Sequence, residues 1–163
     1  MENLDIDKID IANFKSVNNW LFRGGQPNEA QLIDLSKLGV KSVVSLRYNS
    51  DVLRQEKKIC RDLNLNYFPI PLSYVVKPNK NQISKFFNIL KNPGNHAVFV
   101  HCKHGCDRTG LLIAMYRIVF ENYSFNLAYQ EMLDMGFHKL KMFHFKFILK
   151  EFAQHANERL KFI

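Results

Sequence analysis

Ala97-Val98-Phe99-Val100-His101-Cys102-Lys103-His104-Gly105-Cys106-Asp107-Arg108-Thr109-Gly110, running on into Leu111-Leu112-Ile113-Ala114-Met115-Tyr116, is the stretch on which the fold turns. The apolar run before His101 reads as a short buried strand, and the run after Gly110 as the opening of a buried helix. A turn joining them places Cys102 and Arg108 around backbone N–H groups that lack helical partners. Amides gathered at a helix N-terminus, with the helix dipole behind them, make a ready anion site. The same field favours the thiolate form of a cysteine, and a planar guanidinium can grip two oxygens of a phosphate. Nucleophile and phosphate-shaped cradle therefore fall within one loop.

Outward from that loop, strand and helix signals alternate. Asn13 to Phe22 suggests one or two short strands with a turn near Asn18-Asn19, and a helix starting after Pro27 carries Leu32, Leu35 and Leu38 and stops at Gly39. Val40 to Leu46 is β-branched and reads as a strand. Ser50 is placed to cap a helix over Asp51 to Leu63 with Val52, Leu53, Ile59 and Leu63 inward. A strand from Leu65 to Pro69, a loop from Ile70 to Pro78 and a helix from Asn79 to Leu90 follow. Beyond the loop at 101–110, Ser124 caps a helix ending at Gly136, and a last helix runs from about Lys139 toward Leu160. The pattern predicts an α/β fold: one domain over residues 1–163, with a mostly parallel sheet of about four to five strands and helices on both faces. In such folds ligands bind beyond the carboxyl ends of the strands, which is where residues 101–108 fall.

The formal charge of +8 favours anionic partners. Hydrophobic residues at 47% and charged residues at 23% fit a globular chain, and the run from Leu111 is too short, before Arg117, to cross a membrane. The first residues, Met1 to Asp5, lack the basic-then-apolar layout of a signal peptide, and three cysteines without framework spacing suit a reducing compartment, so a cytoplasmic location is expected. No motif points to nucleic acid. The lysines and aromatic residues of the last segment, Lys139, Lys141, Lys146 and Lys150 with Phe143, Phe147 and Ile148, allow membrane-surface contact. The favoured reading is a helix that packs its phenylalanines on the sheet and shows its lysines to water.

His101-Cys102, five residues, then Arg108-Thr109-Gly110 resembles the signature of the cysteine-based protein phosphatases, and most of all their dual-specificity branch. Trp20-Leu21-Phe22-Arg23-Gly24-Gly25-Gln26-Pro27 and Leu38-Gly39-Val40-Lys41-Ser42-Val43-Val44-Ser45-Leu46-Arg47 look like the opening of the small bacterial, plant and fungal atypical members. The likeness runs from about residue 20 to 155. The resemblance implies metal-independent hydrolysis of phosphomonoesters with Cys102 as nucleophile, Arg108 as phosphate and transition-state clamp, and Thr109 as hydroxyl partner of the sulfur. It implies no cofactor. The expected substrate is a phosphotyrosine- or phosphoserine/threonine-bearing protein. A phosphorylated inositol or lipid is the alternative, because Cys102, Gly105, Asp107, Arg108 and Thr109 also resemble the myotubularin loop. A phosphate-binding module that has lost catalysis is the rival from another class.

Lys103, His104, Gly105, Cys106, Asp107 and Arg108 are expected to line the substrate site, with His101 and Gly110 supporting it. Gly105 would let the backbone approach phosphate, and Gly110 would let the helix pack near the sheet. His101, Cys102, His104 and Cys106 could instead be metal ligands, but zinc sites draw spaced pairs from two segments and no second cluster exists, so no metal is expected. The family supplies a general acid from a loop upstream of the nucleophile. Here no Asp or Glu lies between Asp62 and Asp107. Three explanations compete: Asp107, beside Arg108 in the loop, is the acid; Asp62 or an acid from elsewhere reaches over; or the leaving group, a phenol or a phosphate, needs little help. Asp107 is preferred, its alternative role being a helix-terminal charge paired with a nearby base. Cys60 or Cys106 could resolve an oxidised Cys102. Arg23 and Arg47, at strand ends, read as structural.

Overall fold

The computed structural model describes residues 6–156. Five strands form one sheet in the order β1-β2-β5-β3-β4. They are β1 (Lys15–Ser16), β2 (Leu21–Gly24), β3 (Ser42–Ser45), β4 (Asn66–Pro69) and β5 (Val98–His101). Only the edge pair β1–β2 is antiparallel; β2–β5, β5–β3 and β3–β4 are parallel. This is the expected architecture.

Helices cover both faces and divide the core in two. On one face α1 (Glu29–Lys37) and α2 (Ser50–Asp62) bury Leu32, Leu35 and Cys60 against Phe22, Val43 and Phe99. On the other, α3 (Lys80–Lys91), α4 (Asp107–Phe120), α5 (Phe125–Asp134) and α6 (Phe143–Gln154) close over Leu21, Val44, Val98 and Val100. Alternate residues of a strand point to opposite faces, which is why Val43 and Val44 belong to different cores. α4 is buried almost all round, as its unbroken apolar run requires.

Three details differ from expectation. The cap of α2 is Asn49, whose side chain accepts from the amides of Asp51 and Val52; Asn is as good a cap as Ser and comes one residue earlier. The face α2 buries is carried by Glu56 and Cys60, with Val52, Leu53, Ile59 and Leu63 only half-buried. In α6 the stripe that packs is Phe145, Leu149 and Phe152, whereas Phe143 and Phe147 remain 60% and 63% exposed. Both sets recur at helical spacing, and the tertiary contact, not the period, selects between them. Helix α6 also begins at Phe143 and not near Lys139, and the end expected near Leu160 lies outside the described residues.

Register sets the site. Gly24 of β2, His101 of β5 and Ser45 of β3 are direct partners across the sheet, so three parallel strands end level. The residues that follow each end, Gly25-Gln26, Cys102 and Leu46-Arg47-Tyr48, therefore meet on one rim.

Candidate active site

Cys102 is buried at the end of β5, and the loop it opens curls back over it: the amide of Gly105 donates to Cys102 Sγ at 3.3 Å. The loop carbonyls are held from outside. Lys103 O accepts from Gln26 N at 3.1 Å, His104 O from Asn13 Nδ2 at 2.8 Å, and Gly105 O from Arg23 Nη2 at 2.9 Å. A trans peptide points its carbonyl and the following N–H in opposite directions. Tying those three oxygens outward thus turns the amides that follow them, of His104, Gly105 and Cys106, the other way, and that of Gly105 reaches the sulfur. Amides so placed can hold an anion, and the cause of the arrangement is a set of straps from residues 13–26.

Gly105 has a reason to be glycine besides the approach to phosphate. Its φ of +76° is one that side chains rarely adopt, and a Cβ there would lie 2.4 Å from the carbonyl carbon of Gly24. Gly110 faces the side chains of Arg23, from β2 of the sheet, and of Met132 in α5. Arg23 is structural, as read, but its partner is the loop itself. Burial lowers its pKa, with Glu131 opposing.

Arg108 is buried, and its fork reaches across the site. Nη1 donates to Leu46 O at 3.1 Å and Leu72 O at 3.2 Å, and Nη2 donates to the Tyr74 hydroxyl. The guanidinium carbon sits 3.9 Å from the Tyr74 ring centre and 5.7 Å from that of Tyr48, a cation–π stack. Burial raises the Tyr74 phenol above its ordinary value although Arg108 opposes the rise, so the hydroxyl meets the guanidinium neutral. Arg108 Nε is buried without a hydrogen-bond partner, as is Thr109 Oγ1. The Thr109 hydroxyl thus makes no hydrogen bond to the sulfur in this state. Lys103 and His104 are exposed at the rim.

His101 anchors the loop from beneath. Its Nδ1 is 3.2 Å from Cys102 O, and its Nε2 is 2.9 Å from Glu56 Oε1. Glu56 also accepts from Gln26 Nε2 and Tyr67 Oη, each at 2.8 Å. Gln26 in turn accepts from Arg47 Nη1 at 3.0 Å. Burial works against the Glu56 charge, yet His101 and the Tyr67 hydroxyl outweigh it and hold the carboxyl below its ordinary range. Sequence reading missed Glu56, which looks like one more charge on an amphipathic helix; the one available signal is its place on the Glu56–Cys60 face.

Asp107 is buried at the start of α4, and its carboxylate accepts from the His138 amide at 2.9 Å and faces His138 Nδ1 at 2.9 Å. The partner base of the alternative reading is thereby identified as His138. Cys106 Sγ accepts from Asn13 Nδ2 at 3.1 Å, and burial followed by Asp107 pushes its thiol up. Cys60 lies in the core cluster on the α1–α2 face, where burial pushes its thiol up to about 12, and Cys102 belongs to the cluster on the other face. Among the described residues no group of three or more His, Cys, Asp and Glu side chains is arranged to hold a metal, so His101, Cys102, His104 and Cys106 do not converge as ligands.

Level parallel strands that present a thiol in an amide-lined loop, with an arginine at the following helix, are the architecture of the atypical dual-specificity and tyrosine-phosphatase-like superfamily. More narrowly, the chain belongs to the family described as DSP-PTPase phosphatase fused to NAD+ Kinase, whose model matches residues 6–147. It is 32% identical over 125 residues to the dual specificity protein phosphatase TpbA of Pseudomonas aeruginosa, a match covering 77% of this chain and 55% of that protein. It is 24% identical over 145 residues to the inositol diphosphatase SIW14 of Saccharomyces cerevisiae, covering 86% of this chain and 51% of the relative. The chain thus spans about half the length of these two relatives. The crystal structure of P. aeruginosa TpbA superposes with a TM-score of 0.71 at 23% identity, over 90% of this chain and 91% of that one.

Proposed function

We propose that the chain is a metal-independent phosphomonoester hydrolase acting through a cysteinyl-phosphate, with phosphotyrosine or mixed phosphotyrosine and phosphoserine/threonine proteins as substrates. The observation that carries this reading is the Cys102 sulfur beneath amides turned inward by their strapped carbonyls. The thiolate attacks phosphorus as the P–O bond to the leaving group breaks. The inward amides and Arg108 stabilise the charge spread over the equatorial oxygens. Arg108 Nε is the buried donor available to a phosphate oxygen, and Nη2 becomes available by exchanging the Tyr74 hydroxyl for a second one. Water then attacks phosphorus, giving a proton to the Asp107 carboxylate left by the first step, the P–S bond breaks, and Thr109 Oγ1 is the hydroxyl assigned to the departing thiolate.

The leaving oxygen takes its proton from Asp107 in this reading, with His138 holding the carboxylate. The second substrate class, a phosphorylated inositol, is favoured by the exposed Lys103 and His104 on the rim of the cradle. The inositol diphosphatase among the relatives supports it as well. Purified protein assayed without added metal against phosphopeptides, inositol phosphates and an aryl phosphate separates the substrate classes. Cys102→Ser should abolish every activity. Turnover retained in that variant overturns the mechanism, and phosphate binding without turnover in the unsubstituted protein establishes the non-catalytic rival.

A further inference from the structure

The outward side of α6 carries Phe143 and Phe147, whose rings meet edge to face with centres 6.4 Å apart. Leu140, 85% exposed, lies one turn before them. The 70–78 loop adds Val75 and Val76, 79% and 64% exposed. Two contacts join the segments into one surface: His144 Nε2 donates to Tyr74 O at 2.7 Å, and Lys77 pairs with Glu151 at 2.7 Å. Five large apolar side chains therefore lie on adjoining segments, and both segments border the catalytic loop through Tyr74–Arg108 and His138–Asp107.

The charge along these two segments is predominantly positive. No Asp or Glu occurs from residue 135 to 150, where Lys139, Lys141, Lys146 and Lys150 interleave with the apolar side chains. The 63–106 stretch that contains the loop is equally free of acids, and Glu151 is neutralised by Lys77. Apolar side chains projecting between lysines match the interface of a bilayer with anionic headgroups, where the former enter the acyl boundary and the latter meet phosphate and carboxylate. A second copy fits poorly, since a two-fold contact would set lysines against lysines. Nucleic acid would use the phenylalanine rings but has nothing to stack on Leu140, Val75 or Val76.

We propose that this face docks the protein on anionic lipid membranes, with the catalytic loop beside the surface. The proposal does not depend on which phosphoester is hydrolysed. The test is co-sedimentation of the protein with phosphatidylcholine vesicles with and without phosphatidylserine, at low and raised salt. Binding should require phosphatidylserine and weaken with salt. The double variant Phe143→Ser/Phe147→Ser should bind about tenfold more weakly or worse, with an unchanged melting temperature and unchanged turnover of a soluble aryl phosphate. Leu140→Ser, in the preceding turn and outside any helix, is the second variant should the double one melt early. Absence of vesicle binding, or binding indifferent to these substitutions, overturns the proposal. So does a concentration-dependent dimer in light scattering that the double variant abolishes. Binding to a single-stranded oligonucleotide with the same residue dependence, in place of vesicles, overturns it in favour of nucleic acid.

Discussion

Glu56 of α2 and His101 of β5 meet at 2.9 Å beneath the catalytic loop, both almost wholly removed from water. The pair fixes the residue that immediately precedes Cys102, the proposed nucleophile, and Tyr67 and Gln26 hold the carboxylate from two further elements.

Glu56→Gln keeps the shape but removes the charge that faces His101. It should cost about 1.5–3 kcal/mol of stability and lower kcat more than it raises KM, because the loop is held less firmly. Chemical denaturation and steady-state kinetics on an aryl phosphate check this. An unaffected kcat would show that the pair only supports the fold.

The same carboxylate gives a pH signature. Burial opposes the Glu56 charge, but His101 and Tyr67 prevail and set the carboxyl below its ordinary range. Its stabilisation is then fully present above the unfolded value, about 4.3, and is lost as pH falls through the lower folded value. Stability of the unsubstituted protein should drop across that acid window, and the drop should be shallower in Glu56→Gln.

Asp107 is tied to His138 by the backbone amide and faces its ring. If it supplies the leaving-group proton, Asp107→Asn should depress turnover of an alkyl phosphate by about tenfold or more beyond its effect on an activated aryl phosphate. Equal losses on the two substrates would remove the acid role and leave a helix-terminal charge.

The Tyr74 hydroxyl occupies Arg108 Nη2, a donor that the proposed function assigns to phosphate. Tyr74→Phe keeps the ring over the guanidinium and deletes the competing oxygen, so inorganic phosphate should inhibit a few-fold more tightly. Weaker inhibition would mean that the hydroxyl positions Arg108 for the substrate instead.

Gly105→Ala forces a Cβ onto the Gly24 backbone at a positive φ. Unfolding should be easier by about 2 kcal/mol or more, with turnover lost as the amides leave the cradle. Retention of both would contradict the strapped loop.

The strand, loop and helix around Cys102 were legible because an apolar run, a glycine and a second apolar run encode them locally. The mostly parallel sheet with helices on both faces also followed from alternation, whereas the strand order did not. What sequence reading lacked was everything that depends on distant partners. Glu56 is buried only because His101 and Tyr67 converge on it, and nothing in α2 announces that. Arg23 looks like any strand-end arginine until its Nη2 reaches Gly105 O, 82 positions away. The helical period admitted both phenylalanine faces of α6, and packing against the neighbouring helices decides for Phe145, Leu149 and Phe152.

The three straps on the catalytic loop all come from residues 13–26, which include the two-residue edge strand β1. A sheet edge is where a fold opens first and most often. Asn13, Arg23 and Gln26 flank that edge, so its loosening is expected to free a loop carbonyl and let the amides relax away from a bound anion. Hydrogen exchange at the Gly105 amide should follow the edge and not the core. Phosphate, by demanding the ordered loop, should slow exchange along β1 and β2 without touching either.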